Sequence, residues 1–147
     1  MKFYIKMKYK DILVIEPRKN VRDLVSFNFQ DLGKDVKEIY FVNDYYESKK
    51  ILKDWNSSGK EYFVLADSKI WKGYEHVCTS RLFRRIIDSG NKVILYSSEE
   101  LEGLNKSLRE LIDRENLHYV VKSSSYGNAE EFFSNVLEPA GLEKLNN

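Results

Sequence analysis

The chain has 147 residues, 42% apolar and 32% charged, and its 24 Lys and Arg against 23 Asp and Glu leave a formal charge of +1. That balance suits a single globular domain, argues against intrinsic disorder, and gives no electrostatic reason to expect nucleic acid or a membrane as a partner. One cysteine, Cys78, excludes an intramolecular disulfide, and with only two histidines no zinc-ligand pattern forms.

The opening residues, MKFYIKMKYK, interleave lysine with apolar side chains. They lack the continuous apolar stretch of a secretory signal and read as an N-terminal extension, residues 1–10. No run approaches the ~20 apolar residues of a membrane span, so the expected location is the cytoplasm.

DILVIEP, from Asp11, is a β-branched strand ended by Pro17. A helix follows, with Val21, Leu24, Val25, Asn28 and Leu32 on one face and Gly33 as its stop. Residues 36–44, VKEIYFVND, alternate and read as a second, more exposed strand. YESKKILKDW is a helix that ends at the turn Ser57-Ser58-Gly59. EYFVLAD is a third strand, ending in Asp67. A loop through Gly73 leads to a third helix with Val77, Cys78, Leu82, Phe83, Ile86 and Ile87 on its apolar face. KVILYSS is the fourth strand, and its helix carries Leu101, Leu104, Leu108, Leu111 and Ile112. HYVVK is the fifth strand. The last helix spans 128–138 and stops before Pro139. The domain therefore runs over 11–140, and 141–147 reads as a flexible tail.

Strict β-α alternation with apolar strands predicts an α/β protein, a parallel sheet covered by helices on both faces. In such open sheets ligands sit beyond the carboxyl ends of the strands, near the point where strand order reverses. The residues at those ends are Glu16, Asp67, Ser97 and Lys122. Two carboxylates, a hydroxyl and an ammonium on one edge suit phosphoryl transfer. Asp67 can act as a nucleophile that forms an acyl phosphate. Glu16 can help hold Mg²⁺, a hard cation that takes oxygen ligands. Lys122 can place a point charge on phosphate oxygens, and Ser97 can donate to them.

Singly, each residue has a plainer reading. Lys122 is a solvated strand end, and Ser97 a hydroxyl bonded to backbone. Glu16 caps the next helix or pairs with Arg18, and Tyr119 is ordinary core. Cys78 is an inert thiol on the third helix, His118 a partly exposed polar residue away from the site, and Arg81, Arg84 and Arg85 a solvated helix face.

Taken in order, DILVIEPRKNVRDL, FVLAD, VILYSS and YVVK resemble the receiver domains of bacterial two-component response regulators, over about residues 11–138. The resemblance implies a flavodoxin-like (βα)5 three-layer sandwich with a five-stranded parallel sheet of order 2-1-3-4-5. It implies Asp67 as phosphoacceptor, Glu16 in the acid pocket, Ser97 as switch hydroxyl, Tyr119 as switch aromatic and Lys122 as the phosphate-contacting lysine. It implies Mg²⁺ on Glu16, Asp67 and the backbone carbonyl of Lys69. The implied partners are a histidine kinase or phosphotransfer protein and a downstream protein target, with a homodimer as a further candidate assembly. On this reading the chain is a stand-alone signalling domain of a phosphorelay and not an enzyme.

Two features depart from the family pattern. The second of two adjacent acids after the first strand is replaced by Pro17, which has no side-chain ligand and weakens Mg²⁺ binding. Arg18 and Lys19 follow, and they either neutralise Asp67 in place of a metal or face solvent. The loop SKIWKGYE lacks the usual proline, is shorter before Gly73, and places Trp71 where it can cap the pocket. These departures motivate an alternative: a degenerate receiver that acts as a phosphorylation-independent interaction module. A small flavodoxin-like enzyme or nucleotide binder is a third reading. It is opposed by the lack of a G-x-G-x-x-G or Walker pattern in a chain with 7 glycines.

Overall fold

Successive side chains of a strand point to opposite faces of its sheet, and the central strands here are apolar on both. The computed structural model describes residues 3–6, 11–33, 39–122, 128–141 and 143–146. In chain order its strands are β1 (Phe3–Lys6), β2 (Asp11–Ile15), β3 (Ile39–Val42), β4 (Tyr62–Ala66), β5 (Lys69–Lys72), β6 (Glu75–Cys78), β7 (Lys92–Ser97), β8 (His118–Val121) and β9 (Glu143–Asn146). The helices are α1 (Lys19–Asp31), α2 (Tyr45–Ser57), α3 (Ser80–Asp88), α4 (Lys106–Glu115) and α5 (Ala129–Phe132).

Five strands form one all-parallel sheet in the order β3-β2-β4-β7-β8. Counted along the chain within that sheet, the order is 2-1-3-4-5, the flavodoxin-like topology. On one face Ile12, Val14, Phe63, Leu65, Ile94 and Tyr96 pack with Val21, Val25 and Phe29 of α1 and with Phe132 of α5. On the other, Leu13, Ile15, Val64, Ala66 and Leu95 pack with α2, α3 and α4 through Leu52, Trp55, Leu82, Phe83, Leu108 and Leu111. Each fully buried Val, Leu, Ile or Phe among these contributes about 1.5–3 kcal/mol. The predicted three-layer α/β sandwich is the fold observed.

Several local expectations change. In α1 the buried positions are Val21, Val25, Asn28 and Phe29, while Leu24 is 41% exposed; Phe29, four residues after Val25, completes the stripe instead. The second strand covers Ile39–Val42 within the predicted 36–44, and residues 36–38 lie outside the described residues. Asp44 caps α2, accepting a hydrogen bond from the Glu47 N–H at 3.0 Å. The fourth helix begins as a 3₁₀ turn, Leu101–Gly103. It restarts at α4 because the Asn105 side chain caps the Ser107 N–H at 3.0 Å.

The chain after α5 continues as a π turn, Phe133–Leu137, and a 3₁₀ turn, Glu138–Ala140. Pro139 therefore lies inside a helical turn and not beyond it; at the first turn its missing N–H costs nothing. The segments read as an extension and a flexible tail pair with each other, β1 against β9, antiparallel, with Phe3 opposite Asn146.

The largest correction lies between β4 and α3. The expected loop is a β-hairpin, β5–β6, with Lys69 opposite Cys78 and a turn at Gly73, whose φ is +64°. Val77 and Cys78 belong to this hairpin, and α3 starts only at Ser80. Trp71 N–H reaches the Asn43 carbonyl at 3.3 Å, and Lys72 lies 5.0 Å from the Tyr45 ring centre. Both tie the hairpin to the end of β3 and the start of α2. Among the described residues no helix is long and apolar enough to cross a membrane.

Candidate functional site

The parallel ladder runs one residue beyond β2 and β4. Glu16 N–H donates to the Val42 carbonyl and Asp67 N–H to the Ile15 carbonyl, each at 2.9 Å. These bonds set Glu16 and Asp67 side by side at the carboxyl edge of the sheet. Lys122 follows β8, and its ammonium pairs with Glu16 Oε2 and Asp67 Oδ2. Lys122 is 0% exposed, Glu16 2% and Asp67 7%. The lysine therefore turns inward, and the plainer reading of a solvated strand end does not hold.

Two buried carboxylates sharing one ammonium make an asymmetric cluster. Burial holds the Glu16 carboxyl above its ordinary value; Lys122 opposes that rise and the Asp67 charge adds to it. Glu16 Oε1 accepts the Arg18 N–H at 3.1 Å, and the Glu16 carbonyl accepts from Arg22 Nη1 at 2.8 Å. Asp67 Oδ1 accepts the Lys69 N–H and the Ser68 hydroxyl, each at 3.1 Å.

Ser68 is the branch point. Its Oγ lies 2.8 Å from Glu99 Oε1 and 3.0 Å from Ser97 Oγ. A hydroxyl has one proton to donate, so Ser68 serves Asp67 or Glu99 at any moment and can accept from Ser97. Ser97, fully buried, accepts the Glu99 N–H at 3.1 Å. It thus reaches Asp67 through Ser68. Tyr119 donates its hydroxyl to the Glu99 main-chain carbonyl. Burial, with Glu100, Glu102 and Glu99 adding, raises the Tyr119 phenol above its ordinary value, so it remains a donor at neutral pH. Lys69 Nζ sits 3.8 Å from Glu99 Oε1.

Above Asp67 opens a cleft of about 500 Å³, walled by Pro17, Arg18, Lys69, Trp71, His76 and Glu99. Arg18 Nη2 extends to 3.4 Å from Ser98 Oγ across the mouth. The rings of Trp71 and His76 meet at 3.7 Å between centres, tilted by 43°. The hairpin that carries them is clamped at its base. Thr79 N–H donates to the Ser68 carbonyl at 3.0 Å, and Thr79 Oγ1 to the Asp67 carbonyl at 2.6 Å.

The structure thus brings Glu16, Asp67, Lys69, Ser97, Tyr119 and Lys122 into one connected cluster. Ser68, Glu99 and Thr79 were not singled out by the sequence. A hydroxyl directly after the strand-end aspartate was the one available sign for Ser68, while Glu99 and Thr79 are chosen by loop geometry. Lys19 pairs with Asp23 at 3.1 Å on the exposed side of α1. Cys78 is half-buried on β6, with Sγ 3.8 Å from Ser107 Oγ. His118 lies at the amino end of β8, at the other edge of the sheet. Its Nε2 is buried with no hydrogen-bond partner among the described residues, and burial, with Lys92 adding, holds the imidazole below its ordinary value.

The donor set is poor in side-chain ligands for Mg²⁺. That ion asks for near-octahedral oxygen ligands. Both oxygens of Glu16 and both of Asp67 already accept from protein donors, and Pro17 adds no side-chain ligand. Among the described residues no group of three or more His, Cys, Asp and Glu is disposed to hold a metal.

Fold and site together define a flavodoxin-like α/β protein with a buried carboxylate–ammonium cluster at the carboxyl edge of its sheet. No model of a known protein family matches the sequence, and no curated protein matches it significantly.

Proposed function

We propose that this chain is a receiver-like signalling domain that works by protein contact, with Asp67 as its input and the loop between β7 and α4 as its output. One observation carries the reading: a continuous hydrogen-bond path runs from Asp67 through Ser68 and Ser97 to Glu99, whose carbonyl holds Tyr119. A histidine kinase or phosphotransfer protein is the donor. An Asp67 oxygen attacks its phosphohistidine; the O–P bond forms, the N–P bond breaks, and the imidazole leaves with the electron pair. The acyl phosphate then carries more negative charge than the carboxylate it replaces. It draws the Ser68 proton away from Glu99, loosens the loop, and shifts the surface of α4, β8 and Tyr119 toward a state that binds a downstream target.

A second reading, an interaction module independent of phosphorylation, is favoured by the full engagement of the Asp67 oxygens. The two separate when the purified protein is treated with phosphoramidate and weighed intact. The first expects one added phosphoryl group, lost in Asp67→Asn. No addition, with partner capture unchanged in Asp67→Ala, selects the second.

A further inference from the structure

Whichever reading of Asp67 holds, the cleft has the electrostatics of a site that carries its own cations. Lys122 neutralises the floor from inside the sheet, bonded to both Glu16 and Asp67. Arg18 and Lys69 line the mouth. Three carboxylates, Glu16, Asp67 and Glu99, are thus matched by three side-chain cations. A divalent ion entering from solvent meets Arg18 and Lys69 first. Both are exposed at the rim, so salt weakens their repulsion; at the floor the ion finds each oxygen of Glu16 and Asp67 already accepting a proton donor. Pro17 removes the position from which a side-chain ligand could compete.

We infer that the Asp67 site is metal-independent: Lys122 supplies the cation between the two carboxylates, Arg18 supplies the second positive charge at the mouth, and Mg²⁺ or Mn²⁺ is excluded. Arg18 is placed for this by backbone and side chain together. Its N–H caps Glu16 Oε1 at 3.1 Å, which fixes the turn after β2. Its guanidinium then reaches Ser98, which lines the cleft with it.

Binding is read directly, without any phosphorylation step, from paramagnetic broadening of backbone amides during a Mn²⁺ titration. The wild-type chain is compared with Pro17→Asp and with Pro17→Asp combined with Arg18→Ala, each shown by its amide dispersion to be folded. In the wild type the amides of Asp67, Ser68 and Lys69 should keep their intensity at millimolar Mn²⁺, relative to amides far from any carboxylate. The double variant, with two adjacent acids and no guanidinium, should lose those signals at a concentration at least tenfold lower. Selective loss of the three signals in the wild type at the same concentration as in the double variant would overturn the inference. Broadening in neither protein would overturn the assignment of exclusion to Pro17 and Arg18. Because the readout is metal binding, failure here leaves the phosphoramidate result standing, and the converse also holds.

Discussion

Tyr119, on the edge strand β8, donates its phenolic hydrogen to the main-chain carbonyl of Glu99 in the loop that follows β7. The bond laces an aromatic side chain to the backbone of the segment that also contacts Ser68 and Ser97. Tyr119→Phe keeps the ring and removes the donor. It should cost about 0.5–1.5 kcal/mol in urea unfolding and move the amide resonances of Glu99 and Glu100 more than those of the β4 core. Loop resonances that stay in place would show that the tie is not formed in solution.

Lys122 is the only counter-charge that contacts both buried carboxylates among the described residues. Lys122→Met leaves two acids facing each other out of water and should destabilise the fold by about 3–5 kcal/mol. Adding Glu16→Gln and Asp67→Asn to that variant removes the stranded charges and should restore most of the loss. Equilibrium urea unfolding of the single and triple variants checks this; equal destabilisation in both would mean that the lysine acts by packing and not by charge.

The raised Glu16 carboxyl gives stability a signed pH dependence. The folded state holds this proton more tightly than the unfolded chain, whose reference value is 4.5. From that value up through the raised one, folded protein binds more protons, so the free energy of unfolding falls as pH rises. Glu16→Gln abolishes the titration. The stability of the variant relative to wild type should therefore improve with rising pH across that window and level off above it. Chemical denaturation of both proteins at stepped pH measures the difference, and a trend in the other direction refutes the assignment.

Thr79 ties the end of the hairpin to the backbone of Asp67. Thr79→Val preserves shape and deletes the hydroxyl, leaving the buried Asp67 carbonyl without that donor. The cost should be about 1–3 kcal/mol. Hydrogen exchange should quicken in Ile70 and Val77 before it does in β4. Uniform quickening across the sheet would instead report global destabilisation.

What could be read from sequence follows from how parallel sheets are built. A strand covered on both faces is an apolar run, so its first polar residue marks the carboxyl edge. Glu16, Asp67, Ser97 and Lys122 were legible for that reason, as was the two-sided core; the strand order followed only from the resemblance to receiver domains. Residues 69–78 were not. Ile70 and Val77 carry too little apolar weight to announce strands, and Cys78 falls four residues before Leu82, a helical spacing that extends the apparent helix backwards. The break before α4 was hidden likewise: Leu101, Leu104 and Leu108 keep a helical period across Asn105, and only the cap on Ser107 shows where the helix restarts. The inward course of Lys122 depends on a contact across more than half the chain, which no local pattern encodes.

The hairpin closed by Thr79 has an architectural consequence. Its ends meet beside Asp67, and between them it is held by Ile70 in the core and by Trp71 and Lys72 against Asn43 and Tyr45. Its exposed tip around Gly73 and Tyr74 can be lengthened at small entropic cost without dragging the backbone of Asp67. The aromatic part of the cleft wall, Trp71 and His76, is carried on this hairpin, whereas the charged floor follows β2, β4 and β8. The aromatic wall and the charged floor can therefore be altered one at a time.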